Sequence, residues 1–285
     1  PINLSVSDDA LVNMLIDAKT VALVVTSDQF ERLLRLQERL PSSLSVCVTT
    51  GTSSVDGWTQ WTDFVGNAAQ TVPNVDIEDD AILNVIYSSG TTGVPKGIVH
   101  THRSRRDWAY DLAIALRYHG AAKSLFTIGL YSNISWVSML ATLLAGGTLV
   151  VHEKFDEAVF LDTVERERIT HTAMVPIQFQ RVADLQLTSP RHVTSMTAMM
   201  SAGSPLREPL KRRIFEAFPC GIIELYGLTE GIITTLDPED AEGRWSSVGR
   251  PLIGTDIAII DDEDQFVSAG VSGEIVSRGR ITMPG

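Results

Sequence analysis

Apolar and polar positions along the chain switch repeatedly between a helical and a strand-like period. Residues 8–18 put Leu11, Leu15 and Ala18 on one helical side, behind an Asp8-Asp9 start that suits a helix N-terminus. Val21–Val25 reads as a buried strand, Phe30–Leu40 as a helix closed by Pro41, and Leu44–Val48 as another short strand. Residues 50–80 are looser: Gly51, Ser53, Ser54 and Gly57 precede the acidic run Asp76, Glu78, Asp79 and Asp80, which reads as a solvated face. Trp58 and Trp61 are expected to pin this segment. Ile82, Leu83, Val85 and Ile86 read as a buried strand, and Arg103–Tyr118 as a helix with Trp108, Leu112, Ala115 and Leu116 at helical spacing.

The alternation continues through strands at Leu125–Gly129, Thr148–His152, Thr172–Val175 and Ser195–Ser201. Between and after them come helices at Trp136–Leu144, Phe160–Arg168, Ile177–Leu187 and Glu208–Phe218, the last carrying Lys211, Arg212 and Arg213. Such order means strand-helix-strand units and a parallel sheet, so the chain is predicted to be α/β. Beyond about residue 243 the texture changes. Gly249, Pro251, Gly254, Gly270 and Gly273 punctuate short strands at Asp256–Ile260 and Glu274–Ser277, indicating a small antiparallel sheet or barrel. The divisions expected are an α/β subdomain over 1–123, a second over 124–242 and a partial β-barrel over 243–285.

With 285 residues, 44% of them hydrophobic, the chain is long enough to bury a real core. A net charge of −12 argues against a nucleic-acid partner. Two cysteines, Cys47 and Cys220, make no disulfide framework and suit packed thiols in a reducing compartment, the cytoplasm. No basic start followed by an apolar run marks a signal peptide. The window Ser124–Val151 lacks charged residues, yet its spread of hydroxyls and its Gly146-Gly147 pair read as strand, turn, helix and strand rather than as a membrane span. His100, His102, His152 and His171 show no metal-ligand spacing.

Against this background Tyr87-Ser88-Ser89-Gly90-Thr91-Thr92-Gly93-Val94-Pro95-Lys96-Gly97 concentrates anion-binding chemistry between a strand and Ile98-Val99-His100. Its glycines let the backbone bend and approach a ligand, its hydroxyls and N–H groups suit phosphate oxygens, and Lys96 adds a mobile point charge. By composition the stretch also suits an ordinary surface loop. Its spacing excludes the Walker A loop, because Lys96 stands between Pro95 and Gly97. A second segment, Glu224-Leu225-Tyr226-Gly227-Leu228-Thr229-Glu230, offers a flat ring for a purine, a glycine for close approach, a hydroxyl for phosphate, and a hard carboxylate suited to Mg2+. Alone it also reads as a turn ending a strand.

Residues 87–97 match throughout the phosphate-loop signature of the adenylate-forming enzymes, a family that includes acyl-CoA synthetases, beetle luciferases and the adenylation domains of peptide synthetases. Residues 226–230 match that family's Tyr-Gly-x-Thr-Glu motif, and Ser201-Ala202-Gly203-Ser204-Pro205 resembles its small-residue adenine-binding turn. Ser247–Pro251 and Gly273-Glu274-Ile275 look like later family signatures with a structural role. The resemblance implies two stacked, mostly parallel sheets with flanking helices, and the start of a small β-barrel. It also implies ATP, Mg2+ and CoA as reactants with a small carboxylic acid. On this basis Ser88, Ser89, Gly90, Thr91, Thr92, Gly93 and Lys96 hold the β- and γ-phosphates, while Thr229 touches the α-phosphate and Glu230 takes the metal. Lys96, Thr229 and Glu230 form the catalytic set. Ala202, Gly203, Ser204, Glu224, Leu225, Tyr226 and Gly227 line the nucleotide, and Tyr131, Ser132, Trp136, Ile177, Gly227 and Leu228 line the acyl pocket, with core packing the other role for Trp136 and Ile177.

One departure concerns Gly129–Asn133, where many relatives carry an aromatic–His pair and Ser132 stands at the His position, leaving the acid open. Amino-acid adenylation is the rival within the family. It usually needs an acidic residue near 131–136 to pair with the substrate ammonium, and none is present, so an uncharged acyl or aryl group is favoured. A non-catalytic nucleotide-binding module is the rival from another class. Family members extend beyond both ends, to a ribose-binding aspartate and a distal lysine, so little adenylation is expected of the chain alone.

Overall fold

The structure, a computed structural model, describes residues 1–52, 55–66, 68–88 and 96–284. It forms two compact units. One comprises Leu4–Ala81 and Tyr87–Ile98; the other comprises Pro1–Asn3, Ile82–Ile86 and Val99–Gly285.

In the smaller unit α1 (Asp8–Asp17) begins at Ser7, whose hydroxyl accepts from the Ala10 amide at 3.2 Å, and it buries Leu11, Val12, Met14 and Leu15. Strand β1 (Ala22–Val25) leads through α2 (Ser27–Arg35) to β2 (Val46–Thr49), and the two strands pair in parallel, Ala22 with Val46. A short β3 (Thr59–Gln60) completes a three-stranded sheet in the order β1-β2-β3, followed at once by α3 (Trp61–Gly66). The ring of Trp58 meets Phe30 edge-on at 4.9 Å, so it does pin the segment, whereas Trp61 is exposed. Val21–Val25 is not the buried strand expected: Val24 is 56% exposed and only Val25 is buried, because β1 lies at a sheet edge.

Strands β4 (Ile82–Ser88) and β5 (Lys96–Thr101) form a two-stranded ladder. Here too the expectation of burial fails for Ile82, Leu83 and Val85, since a two-stranded ladder shields few side chains; Ile86 alone is buried. Helix α4 (His102–Ala115) opens with a capping box: the Thr101 hydroxyl accepts from the Ser104 amide at 3.1 Å, and the Ser104 hydroxyl accepts from the Thr101 amide at 3.0 Å.

The larger unit is built on a seven-stranded sheet. Its strands β6 (Lys123–Phe126), β7 (Thr148–Val151), β8 (His171–Met174), β9 (Ala198–Ser201) and β10 (Ile223–Gly227) run parallel in the order β10-β9-β8-β6-β7. Crossovers pass through α5 (Asn133–Leu144), α6 (Glu157–Glu167), α7 (Pro176–Thr188) and α8 (Glu208–Ala217). Strand alternation sorts the core: Met174 and Met199 point to a cluster with Phe160, Leu161, Val164, Phe179, Val182 and Ile214 of α6, α7 and α8. Ala173, Ala198 and Met200 point to the opposite cluster, with Trp108 and Leu112 of α4 and Val137 of α5. The result is three layers, helix on sheet on helix.

The uncharged window folds as expected into β6, α5 and β7, and its hydroxyls bond within it, Ser124 to Thr142 at 2.6 Å. Among the described residues no helix is long and apolar enough to cross a membrane. Two strands escape the apolar pattern: β11 (Ile233–Leu236), antiparallel to β10, and the two-residue β12 (Arg250–Pro251), antiparallel to β11. Thr234 and Thr235 make β11 look polar, though it is buried, and the Thr234 hydroxyl is satisfied by the Val248 carbonyl at 2.6 Å. The C-terminal strands β13 (Thr255–Ile260) and β14 (Glu274–Gly279) pair antiparallel. Cys47 and Cys220 are free thiols, and burial pushes that of Cys220 up to about 11, as befits a packed residue.

Candidate functional site

The parallel strands of the larger unit end along one edge, and open α/β sheets bind ligands beyond that carboxyl edge. Met174 of β8 pairs with Ser201 of β9, and Ser201 with Glu224 of β10. The segments that follow therefore leave the sheet side by side: Val175 into α7, 202–206 into α8, and 228–232 into β11. Residues 127–132, after β6, enter α5 beside them. Ala202, Gly203, Ser204, Tyr226, Gly227, Leu228, Thr229 and Glu230 thus share an edge with Tyr131, Ser132 and the first turns of α5 and α7, which carry Trp136 and Ile177. Tyr131, Ile177 and Leu228 are 40%, 61% and 48% exposed there.

The 228–232 loop is fixed through its main chain. The Leu228 amide donates to the Ile232 carbonyl at 2.9 Å, the His100 ring donates Nε2–H to the Thr229 carbonyl at 2.9 Å, and the Met283 amide donates to the Glu230 carbonyl at 2.8 Å. Burial, with the nearby Arg105 charge adding to it, pushes His100 down to about 4, so the ring is neutral at pH 7. The Thr229 and Glu230 side chains, by contrast, make no hydrogen bond or ion pair among the described residues. Gly227 is required by the strand beside it, since a Cβ would stand 2.4 Å from the Ile232 carbonyl oxygen. Gly203 takes φ +89° against Ile134 and Val175.

Other predicted site residues are already engaged. The Glu224 carboxylate, buried in β10, is ion-paired with Lys211 of α8 and accepts from the Leu206 amide at 3.3 Å. Lys211 itself is only 2% exposed and donates to the Trp245 carbonyl at 2.6 Å. Leu225 is half-buried inside the same strand. Ser132 caps α5, its hydroxyl accepting from the Ile134 amide at 3.3 Å, and Trp136 donates its indole N–H to the Leu130 carbonyl at 2.8 Å.

In the smaller unit Ser88 closes β4 and Lys96 opens β5, exposed; Ser89, Gly90, Thr91, Thr92 and Gly93 lie outside the described residues. Tyr87, first residue of the phosphate-loop signature, donates its hydroxyl to Asp17 at 2.5 Å, and burial together with that carboxylate raises the phenol above its ordinary range. Among the described residues no group of three or more His, Cys, Asp or Glu could hold a metal ion. A lone, unengaged Glu230 carboxylate still fits Mg2+ of the kind that takes one or two carboxylates together with phosphate oxygens.

A buried cation escaped the sequence reading. Arg105, 1% exposed, lies over the rings of Trp108 and Trp136, its Cζ 4.6 and 5.7 Å from their centroids. Its Nε donates to Asn84 Oδ1 at 3.0 Å and its Nη1 to Asn133 Oδ1 at 2.9 Å. Burial pushes the guanidinium down to about 10, leaving it charged at neutral pH. Its spacing from Trp108, Ala109 and Leu112 puts it on the inner face of α4, a signal that the flanking Arg103 and Arg106 disguise.

A family model described as AMP-binding enzyme matches residues 1–285. The chain belongs to this family of adenylate-forming enzymes. Among curated relatives, this AMP-binding enzyme is 27% identical over 216 residues to a feruloyl-CoA synthase from Amycolatopsis, a match covering 75% of this chain and 44% of that protein. It is 28% identical over 232 residues to an indoleacetate–CoA ligase from Aromatoleum aromaticum, covering 80% of this chain and 45% of that protein. Among solved structures, the amide bond synthetase McbA from Marinactinospora thermotolerans superposes with a TM-score of 0.88 at 25% identity, over 99% of this chain and 56% of that one. The chain thus spans about half the length of the curated relatives it matches.

Proposed function

We propose that the protein containing this chain is a carboxylic acid–CoA ligase, which activates the acid with ATP and passes the acyl group to CoA. The observation that supports this most is the 228–232 loop at the carboxyl edge, whose carbonyls are held while the Thr229 and Glu230 side chains make no bond among the described residues. A carboxylate oxygen of the acid attacks the α-phosphorus of ATP and the bond to the bridging oxygen breaks, releasing pyrophosphate and leaving an acyl-adenylate. The CoA thiolate then attacks the acyl carbon and AMP departs.

Hydroxyls and amides of residues 88–93, with Lys96, bind the β- and γ-phosphates and offset the charge that develops on the leaving group. Thr229 donates its hydroxyl to the α-phosphate. Tyr226 presents its ring to the purine, and the small residues 202–204 let backbone groups reach the base. Mg2+ held by Glu230 and phosphate oxygens supplies further charge neutralisation. Tyr131, Trp136, Ile177 and Leu228 form the acyl side. With two free thiols, the chain suits the reducing cytoplasm.

Pyrophosphate release by the full-length protein, assayed with a panel of carboxylic acids, tests the first step, and detection of the acyl-CoA tests the second. Lys96→Ala and Glu230→Ala should each lower kcat/KM for ATP on the order of a hundredfold. Unaltered ATP kinetics in both variants would refute their roles. Because a solved relative is an amide bond synthetase, an amine is the acceptor to offer beside CoA; amide formation without thioester would replace the second step while keeping the first.

A further inference from the structure

Among the described residues the Arg105 guanidinium forms no ion pair with a carboxylate. Its Nη2, and the neighbouring Asn84 Nδ2, have no hydrogen-bond partner among the described residues. The two amide oxygens that it does meet, those of Asn84 and Asn133, are neutral. The nearby His100 ring already spends its Nε2 proton on the Thr229 carbonyl. The surroundings of Arg105 therefore hold a positive charge and unpaired donors, with no anionic acceptor among the described residues. A charge this deeply buried without a counter-ion is costly, and losing any acceptor that pairs with it would be costly too. Trp108 and Trp136 flank the guanidinium, and a planar, two-oxygen partner matches its fork of donors.

We propose that Arg105 is a specificity-determining residue that receives a second carboxylate on the acid substrate, so that the preferred substrates are dicarboxylic acids activated at one end. The proposal rests on the ligase reading above, with Trp136 and Asn133 linking Arg105 to the segment assigned there to the acyl pocket. The carboxylate that reacts is the poorer candidate for this site. A guanidinium clamped on the attacking oxygens would stabilise the ground state more than the transition state and slow the attack. A carboxylate at the far end, which keeps its charge throughout, carries no such penalty.

Pyrophosphate release by the full-length protein with matched pairs, adipate against hexanoate and terephthalate against 4-methylbenzoate, tests the proposal without any variant. The diacid of at least one pair should be favoured by about tenfold or more in kcat/KM, with the difference mostly in KM. Arg105→Met should bring that ratio to about one, and Arg105→Lys should restore part of it. A preference for the monoacid in both pairs would overturn the proposal and leave the ligase reading standing. The absence of pyrophosphate release with every acid tried would overturn the ligase reading instead. In that event tryptophan fluorescence decides, because Trp108 and Trp136 flank the guanidinium: saturable quenching by adipate but not hexanoate, lost in Arg105→Met, supports an anion site, and its absence sinks it.

Discussion

Replacing Lys211 by Met removes the cation paired with the Glu224 carboxylate while keeping the length of the side chain. The two side chains are 3% and 10% exposed, so the carboxylate would be left nearly dry with the Leu206 amide as its one remaining donor. Breaking a buried pair from one side in this way costs about 3–5 kcal/mol. In a protein of this size that lowers the melting temperature by on the order of 10 °C. Glu224→Gln should cost less, because the ammonium keeps the Trp245 and Ser247 carbonyls at 2.6 and 3.4 Å. The double variant, with no buried charge left to strand, should be more stable than Lys211→Met alone. Thermal unfolding of the full-length protein and the three variants measures all of this. Strictly additive losses in the cycle, or a Lys211→Met variant within about 0.5 kcal/mol of the parent, would refute the argument that this pair holds β10 to α8.

His100 and His171 are buried and held neutral, both pushed from 6.5 to about 4 chiefly by burial, so the unfolded chain binds more protons than the folded one between those values. Stability should therefore be complete above about pH 6.5 and fall as pH drops toward 4, by at most about 3 kcal/mol for each ring. Urea midpoints across that window measure it, and His171→Gln should flatten the slope; an unchanged slope contradicts the assignment. Gly227→Ala places a methyl against the Ile232 carbonyl oxygen, with a Cβ contact of 2.4 Å, and should cost about 1–3 kcal/mol or more. The check is a lowered unfolding midpoint even with saturating ATP, since a purely ligand-facing glycine would leave the midpoint untouched.

Much of the fold was legible because buried parallel strands and amphipathic crossovers leave strong marks. Thr172–Val175 and Ser195–Ser201 overlap the strands β8 and β9, and Phe160–Arg168 and Glu208–Phe218 match α6 and α8 to within a few residues. Boundaries drifted where apolar period and capping part company. Helix α5 starts at Asn133 rather than Trp136 because Ser132 supplies the cap, a polar signal that hydropathy does not register. The exposed faces of β1 and β4 were misread because a short apolar run looks the same whether one or both of its sides are covered. Strand β11 was missed for the opposite reason, its threonines being buried and the Thr234 hydroxyl satisfied internally. At the proposed site, motif residues single out the 228–230 loop, since side-chain chemistry is what a motif records. Arg105 went unremarked and Lys211 was noted only as one of three basic residues on its helix, because an arginine or lysine usually lies at the surface. Helical phase, which sets each of them on the inward side of its helix, carried the contrary signal.

The way the 228–232 loop is anchored has an evolutionary corollary. Carbonyl oxygens belong to every amino acid, so tethers from His100 and Met283 survive whatever residue occupies positions 229 and 230. Mutation can therefore exchange the side chains displayed there without dismantling their mount, so the chemistry of the loop can change at little risk to the integrity of the fold.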